Sequence, residues 1–532
     1  MKKLYTLILV CFCAIMQAQT ITVSGEITTN TTWTKNNTYL LQGFVYVEDG
    51  ATLTIEPGTT IKGDKASKGA LIVTRSGKIT AEGTADQPIV FTSNESNPTY
   101  GDWGGIIILG KAPTNAVTNG VPGEGIIEGG VENANGDGRY GGTDANDNSG
   151  VLSYVRIEYP GIAFQPNNEI NGLTMGGVGR GTKIDHVQVS YSGDDAFEWF
   201  GGTVDAKYLI AYRALDDDFD TDFGYQGNIQ YALSVRDPLV ADVSGSNGFE
   251  IDNDATGSGN TPKTKPTFSN VTIVGPGSTP AADYRRAAHL RRNSEPGIFN
   301  TVLIGAYPVG VLIDGDSTIA KAQNGQLEIK NTYVAGQTEL LKTTNAAFNV
   351  VSWFNTSAFN NKTYPNSSDL NLQNPFNLAD PNASPRFNSP ALHGGAFTSP
   401  RLSGSFFDKV TYAGAFNGTS DWTCPWSVYA AGPNTDCNVG TYNIKEFASE
   451  IIVRPTLVNN IVTIDMTIEK TSDVNIRLMD LNGSSVKLLM SDIVSPGKYS
   501  NEFSTDQLEN GFYFIQFEIG SGVKTEKIII IR

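Results

Sequence analysis

Asp194-Asp195-Ala196-Phe197-Glu198 and Asp216-Asp217-Asp218-Phe219-Asp220 superimpose with an offset of 22 residues. Each follows a short apolar stretch, Val187-Gln188-Val189 in one case and Leu209-Ile210-Ala211 in the other. A third unit opens at Ala232-Leu233-Ser234-Val235 and reaches Phe249-Glu250. Side chains alternate along a strand, so with Phe197, Phe219 and Phe249 turned inward, Glu198, Asp220 and Glu250 turn outward and stack on successive coils. Asp222 and Asp252 make a second column, with Asp194, Asp216 and Asp254 at its margins. At the spacing of stacked strands, about 4.8 Å, two like charges repel by roughly 3–4 kcal/mol at an effective dielectric near 20, and by about 1 kcal/mol in open water. A shielded face therefore requires a cation or an arginine. Ca²⁺ suits clustered hard oxygens, which makes Glu198, Asp220, Asp222, Glu250 and Asp252 its candidate ligands. The segment Arg285-Arg286-Ala287-Ala288-His289-Leu290-Arg291-Arg292 falls on the next coil and offers the other solution, pairing with Asp252 and Asp254. The plain alternative is a solvated acidic face that aids solubility.

Other spacings imitate known sites and fail on chemistry. Asp218-Phe219-Asp220-Thr221-Asp222-Phe223 starts like an EF-hand loop, but Phe223 stands where Gly is required and Ile229 where the last Glu belongs. Gly177-Val178-Gly179-Arg180-Gly181-Thr182-Lys183 lacks the order and the following helix of a phosphate loop, and reads as a turn between coils. His186, His289 and His393 are far apart without cysteine partners, which argues against zinc; His186 reads as structural.

The elements that must position the carboxylates are short strands. Phe44-Val45-Tyr46-Val47, Leu53-Thr54-Ile55, Leu71-Ile72-Val73 and Ile89-Val90-Phe91 are separated by turns such as Asp49-Gly50 and Glu56-Pro57-Gly58. A period in the twenties without amphipathic helices is the pattern of a coil that stacks on copies of itself. Across 532 residues there are 57 Gly and only 17% charged residues, which suits strands and tight turns. The formal charge is -17, and a nucleic-acid partner needs clustered Lys and Arg that this chain lacks. The charge is concentrated: residues 191–254 hold fourteen Asp and Glu against three Lys and Arg. Residues 111–150 and 236–267 read as projecting loops, a common seat of recognition. The Asn-, Ser- and Pro-dense stretch 355–400, followed by Phe406-Phe407, Trp422 and Trp426, reads as a cap on the last coil, with an aromatic sugar platform at the two tryptophans as the functional alternative.

Lys2 and Lys3 precede an apolar run from Leu7 to Met16, too short to span a bilayer, so residues 1–19 read as an export signal cleaved near Gln19. Cys11 and Cys13 lie within it, without the small residues that precede a lipidated cysteine. No other stretch is apolar and long enough for a transmembrane segment. In an exported chain Cys424 and Cys437 are expected to form a disulfide, stabilising by roughly 3 kcal/mol for so short a loop.

Gly50-Ala51-Thr52-Leu53-Thr54-Ile55-Glu56-Pro57-Gly58-Thr59, Ala81-Glu82-Gly83-Thr84, Gly101-Asp102-Trp103-Gly104-Gly105 and Phe200-Gly201-Gly202-Thr203-Val204 resemble pieces of right-handed parallel β-helix proteins of pectin-lyase-like type exported by bacteria. The resemblance implies an all-β fold over residues 20–440. Beyond it, strands such as Ile461-Val462-Thr463-Ile464 and Phe512-Tyr513-Phe514-Ile515 alternate with turns at Asn482-Gly483, Pro496-Gly497 and Asn510-Gly511, the pattern of a small β-sandwich over residues 441–532. Met479-Asp480-Leu481-Asn482-Gly483, Leu508-Glu509-Asn510-Gly511-Phe512-Tyr513 and Lys527 leading the terminal strand resemble the type A sorting domain of the type IX secretion system of Bacteroidota. That resemblance implies passage through the secretion machinery, removal of residues 441–532, and a secreted or outer-membrane cell-surface location.

Two functions fit. The first is a non-catalytic surface protein that binds glycans or adheres through its loops and acidic face. The alternative is a Ca²⁺-dependent polysaccharide lyase, with Arg291 or Arg292 removing a proton, or a glycoside hydrolase using Asp217 with Asp195. Fold licenses neither. The lack of a basic groove for a polyanion favours binding.

Overall fold

The computed structural model describes residues 19–165, 168–386, 388–434, 447–481, 485–520 and 522–532. The expected signal and Cys437, the expected partner of Cys424, lie outside them. The described residues form two compact units, the larger from residues 19–383, 388–415 and 423–434, the smaller from 384–386, 416–422 and 447–532.

In the larger unit most of the described strands join in one 26-stranded sheet whose neighbours pair in parallel, the arrangement of a parallel β-helix, while short two-stranded antiparallel sheets lie outside it. Each coil contributes short strands to three faces. On the face that concerns function, Phe197–Phe200 pairs with Phe219–Asp222, which pairs with Ser246–Ile251, followed by Tyr284–Leu290. The expected inward phenylalanines are there: Phe197, Phe219 and Phe249 are fully buried, and successive ring centroids lie 5.7 Å apart. Burying each contributes roughly 1.5–3 kcal/mol.

One corner between the other two faces is built from residues at positive φ: Tyr154, His186, Tyr208 and Tyr231, then Asn270, Asn300 and Asn331. Bulky side chains rarely take this conformation. Here they repeat it on successive coils, so their rings stack, with centroids 4.2 Å apart for Tyr154–His186 and 4.4 Å for His186–Tyr208. His186 is thus structural.

The segment expected to cap the last coil lies elsewhere. The end of the core is closed by the helix Val350–Phe354, whose Val350 and Phe354 join Phe348 in the core. Residues 390–415 and 423–434 of the same unit instead run back along the corner. Poor in strand-forming sequence, they bond to amide side chains rather than to a sheet edge. Gln188 Nε2 donates to Val428 O at 2.7 Å while its Oε1 accepts from Val428 N at 2.9 Å. Gln230 clasps Asp408 in the same two-way manner. Asn270 donates to Tyr412 O and Asn331 to Gly394 O. Trp426 is buried edge-on against Tyr154 and His186, so it offers no open sugar platform.

In the smaller unit, Ala448–Arg454, Ile461–Ile468 and Gly497–Ser504 form an antiparallel sheet. Leu457–Val458, Gly522–Ile530, Gly511–Ile519, Ser472–Met479 and Ser485–Val494 form a second. Alternate residues such as Val462, Ile464, Met466, Val474, Ile476, Ile515 and Phe517 make a common core. The expected β-sandwich pattern is present. No described helix in either unit is long and apolar enough to cross a membrane, which says nothing of strands.

Candidate functional site

Strand register places Thr174, Glu198, Asp220, Glu250 and His289 in one column on successive coils. The turns before these strands add a second ladder, in which each side chain accepts a backbone N–H from the next coil. Asn171 Oδ1 accepts from Asp195 N at 3.2 Å, Asp195 Oδ1 from Asp217 N at 2.7 Å, and Asp217 Oδ1 from Asn247 N. Backbone hydrogen bonds thereby hold two carboxylates beside the column. The third member of the Asp216-Asp217-Asp218 run turns away into a buried pair with Arg236 at 2.9 Å.

Two loops close over this face. The 111–150 loop brings Glu128, and the 236–267 loop brings Ser244 and Gly245, enclosing a cavity of about 330 Å³ lined also by Asp194, Asp195, Glu198, Asp216, Asp217, Asp220, Glu250, Arg286 and Arg291. Asp195, Glu198 and Asp217 are buried; Asp194, Asp216, Asp220 and Glu250 are half-buried. The acidic face, for which solvation was the plain alternative, is therefore partly covered. Three overlapping sets of carboxylate oxygens lie within 4.8 Å of one another: Asp194, Asp195 and Asp216; Asp195, Glu198 and Asp220; Asp217, Asp220 and Glu250. Asp216 Oδ1 and Asp220 Oδ1 are shut off from solvent and accept no hydrogen bond.

Burial first, and then the neighbouring carboxylates, push these groups up. Asp194, Asp195, Glu198, Asp217 and Asp220 lie well above the usual carboxylate range, Asp216 is pushed to about 8 and Glu250 to about 7. The Asn171 amide donates to both Glu128, at 2.9 Å, and Glu198, holding the two carboxyls side by side. His289 Nε2 lies 3.0 Å from Asp314 and its Nδ1 3.4 Å from Glu250. Burial, and then Arg286, push it down to about 4, so the imidazole is neutral at pH 7.

Of the five expected ligands, Glu198, Asp220 and Glu250 come together in these sets. Asp222 and Asp252 do not join them. Asp222 Oδ1 accepts from Phe223 N at 2.6 Å, and Asp252 is held by Arg291 Nε at 2.8 Å and Arg292 at 2.7 Å. Arg291 also bonds Glu250. Asp254 lies in its own loop, capping Thr256 and Ser258 rather than pairing with an arginine. Asp194 and Asp216, read as marginal, line the cavity, and Asp195 is shared by two of the sets. The 22-residue offset already aligned Asp195 with Asp217; Glu128 and Arg286 carried no such signal.

Residues 25–373 match the pectate-lyase-like β-helix domain. The chain belongs to that family. Residues 454–531 match the secretion-system C-terminal sorting domain. This tail marks a protein handled by type IX secretion and either released or attached at the outer-membrane surface. No curated protein matches the chain. Among solved structures, the enzymatically active domain of tailspike protein 4 of bacteriophage CBA120 is similar at 12% identity and a TM-score of 0.22. The alignment covers 96% of this chain and 64% of that one, so the chain spans less than two thirds of it.

Proposed function

We propose that this secreted or surface-attached β-helix binds saccharide through Ca²⁺ held in the acidic cavity, without catalysing a reaction. The observation that carries the reading is the pair of enclosed, unbonded oxygens, Asp216 Oδ1 and Asp220 Oδ1, within carboxylate sets whose atoms are close enough to share an ion. A buried acceptor without a donor costs about 1–3 kcal/mol, more when charged. Ca²⁺ removes that cost and takes six to eight oxygens. Three carboxylates do not fill such a shell, which leaves positions for sugar hydroxyls. The cavity is lined by polar and charged groups, as hydroxyl recognition requires.

The arginines speak against a lyase. A base must surrender its proton, yet Glu250 and Asp252 outweigh burial at Arg291 and hold its guanidinium charged, while Arg292 is committed to Asp252. A hydrolase has one point in its favour: Asp216, pushed to about 8, keeps a donatable proton at neutral pH. Glycan-array binding by the calcium-loaded protein, lost on chelation, together with no reducing ends released from pectin, alginate or neutral polysaccharides, is the expected result. Binding that survives chelation would overturn the cation's role, and released product would overturn the non-catalytic reading.

A further inference from the structure

We propose that the cavity holds two divalent cations bridged by the carboxylate of Asp195. The proposal rests on the cation reading above and concerns how many ions that site takes and which residues hold each. Of the three carboxylate sets, the one that joins Asp217 and Glu250 to Asp220 is partly answered, at Asp217 and Glu250. Arg291 bonds Glu250, and the Asn247 amide donates to Asp217 at 3.1 Å and to Glu250 at 2.9 Å. In the other two sets, Asp194 with Asp195 and Asp216, and Asp195 with Glu198 and Asp220, no side-chain carboxylate forms an ion pair among the described residues; Arg236 reaches only the backbone carbonyl of Asp216. They hold both enclosed, unbonded oxygens, Asp216 Oδ1 in the first and Asp220 Oδ1 in the second. Each set therefore has its own unanswered acceptor.

Asp195 belongs to both sets. Its Oδ1 accepts from Asp217 N, which fixes the carboxylate plane, and each carboxylate oxygen keeps lone pairs for a ligand bond. One carboxylate spanning two ions is the arrangement of two-metal sites, in which the ions lie about 3.5–4 Å apart. Charge agrees once the ions displace the carboxyl protons: the five carboxylates then carry a formal -5, which one divalent ion leaves at -3 and two leave at -1. Arg286, on the next strand of the same face, lines the cavity and makes no ion pair among the described residues, leaving a positive group for the remaining charge of a ligand.

Mn²⁺ alone, titrated into the chelator-stripped mature protein, tests this by stoichiometry and by electron paramagnetic resonance. Glu26, Glu48 and Asp137 form a separate carboxylate group, so the background carries Glu48→Gln. Two ions per chain are expected, with the spin-coupled hyperfine pattern of a bridged pair, spaced at about half the isolated-ion splitting. Asp194→Asn and Asp220→Asn should each leave one ion with an isolated-ion spectrum. Asp195→Asn, which keeps the acceptor for Asp217 N, should abolish the coupling while circular dichroism stays native. One uncoupled ion in the parent protein, lost with Asp220→Asn, overturns the bridged pair but leaves the cation reading standing. No ion sensitive to Asp194, Asp195 or Asp220 overturns both. Two ions without coupling overturn the bridge.

Discussion

Asp195 Oδ1 accepts the backbone N–H of Asp217 at 2.7 Å, so a carboxylate of one coil is fixed by the backbone of the next. The same side chain is buried and shared between two sets of acidic oxygens. Structural and ligand roles therefore separate by substitution. Asp195→Ala leaves a buried N–H without an acceptor and should lower stability by about 1–3 kcal/mol. Asp195→Asn should retain stability while losing the cation response. Chemical denaturation with and without Ca²⁺ reads both, and equal losses in the two variants would assign Asp195 to the ladder alone.

Burial first, and then Glu250, Asp217, Asp252 and Asp222 around it, push the Asp220 carboxyl upward. Its Oδ1 accepts no hydrogen bond. In chelator, Asp220→Asn should raise the melting temperature, because it removes a buried charge with no partner. In the wild type, Ca²⁺ at 100 times its Kd should add about 2.7 kcal/mol for each ion, and the variant should lose the share of the ion that Asp220 holds. A variant that melts lower in chelator and responds to Ca²⁺ as strongly as the wild type would contradict the site.

The acidic face also sets the direction of pH dependence. Asp216 and Asp222 are pushed to about 8 and Glu250 to about 7, against roughly 3.9 and 4.3 in an unfolded chain. Between those limits the folded state binds more protons than the unfolded one. Stability without cations is therefore fully present below about pH 4 and falls as pH rises towards 8. Ca²⁺ replaces those protons, so its stabilising shift should grow from pH 5 to pH 8.5. Thermal melts across that range in chelator and in Ca²⁺ check both slopes.

The repeat that makes this face was legible because strand alternation and a fixed offset are local properties. They placed Phe197, Phe219 and Phe249 inward and Glu198, Asp220 and Glu250 in one column. Asp222 and Asp252 were drawn into the same expectation by spacing, but Asp252 is answered by two arginines and Asp222 by a backbone amide. The arginines on Asp252 are the other solution that the basic segment 285–292 offered, whereas the Phe223 amide on Asp222 depends on how the coil ends, which periodicity does not encode. Glu128 reaches the cavity from a loop some seventy residues upstream of Glu198, and nothing local marks it. Residues 390–415 and 423–434 were misplaced for a related reason: their partners are the amides of Gln188, Gln230, Asn270 and Asn331, far away in sequence.

Those amides carry a prediction of their own. Gln188 answers both the N–H and the C=O of Val428, and Gln230 bonds the N–H and C=O of Asp408. Replacing either glutamine by Ala removes two hydrogen bonds and should cost about 1–3 kcal/mol. Limited proteolysis should then cut within residues 400–430 faster than in the wild type, with the coils intact. Unchanged cleavage in the Gln188→Ala, Gln230→Ala double variant would mean that packing of Trp426 and Tyr429 alone holds the segment.

The C-terminal unit has its own core, with Val462, Ile464, Val474, Ile476, Ile515 and Phe517 drawn from its two sheets. The cavity carboxylates all belong to the other unit. Removing the sorting domain after export should therefore leave the cation response unchanged. Mass spectrometry of the protein at the cell surface or in the medium should find a C-terminus near residue 445, and that processed form should show the same Ca²⁺-induced rise in melting temperature as the full chain. A surface protein that retains Arg532 would contradict the removal. A processed form that no longer responds to Ca²⁺ would show that the acidic cavity depends on the tail.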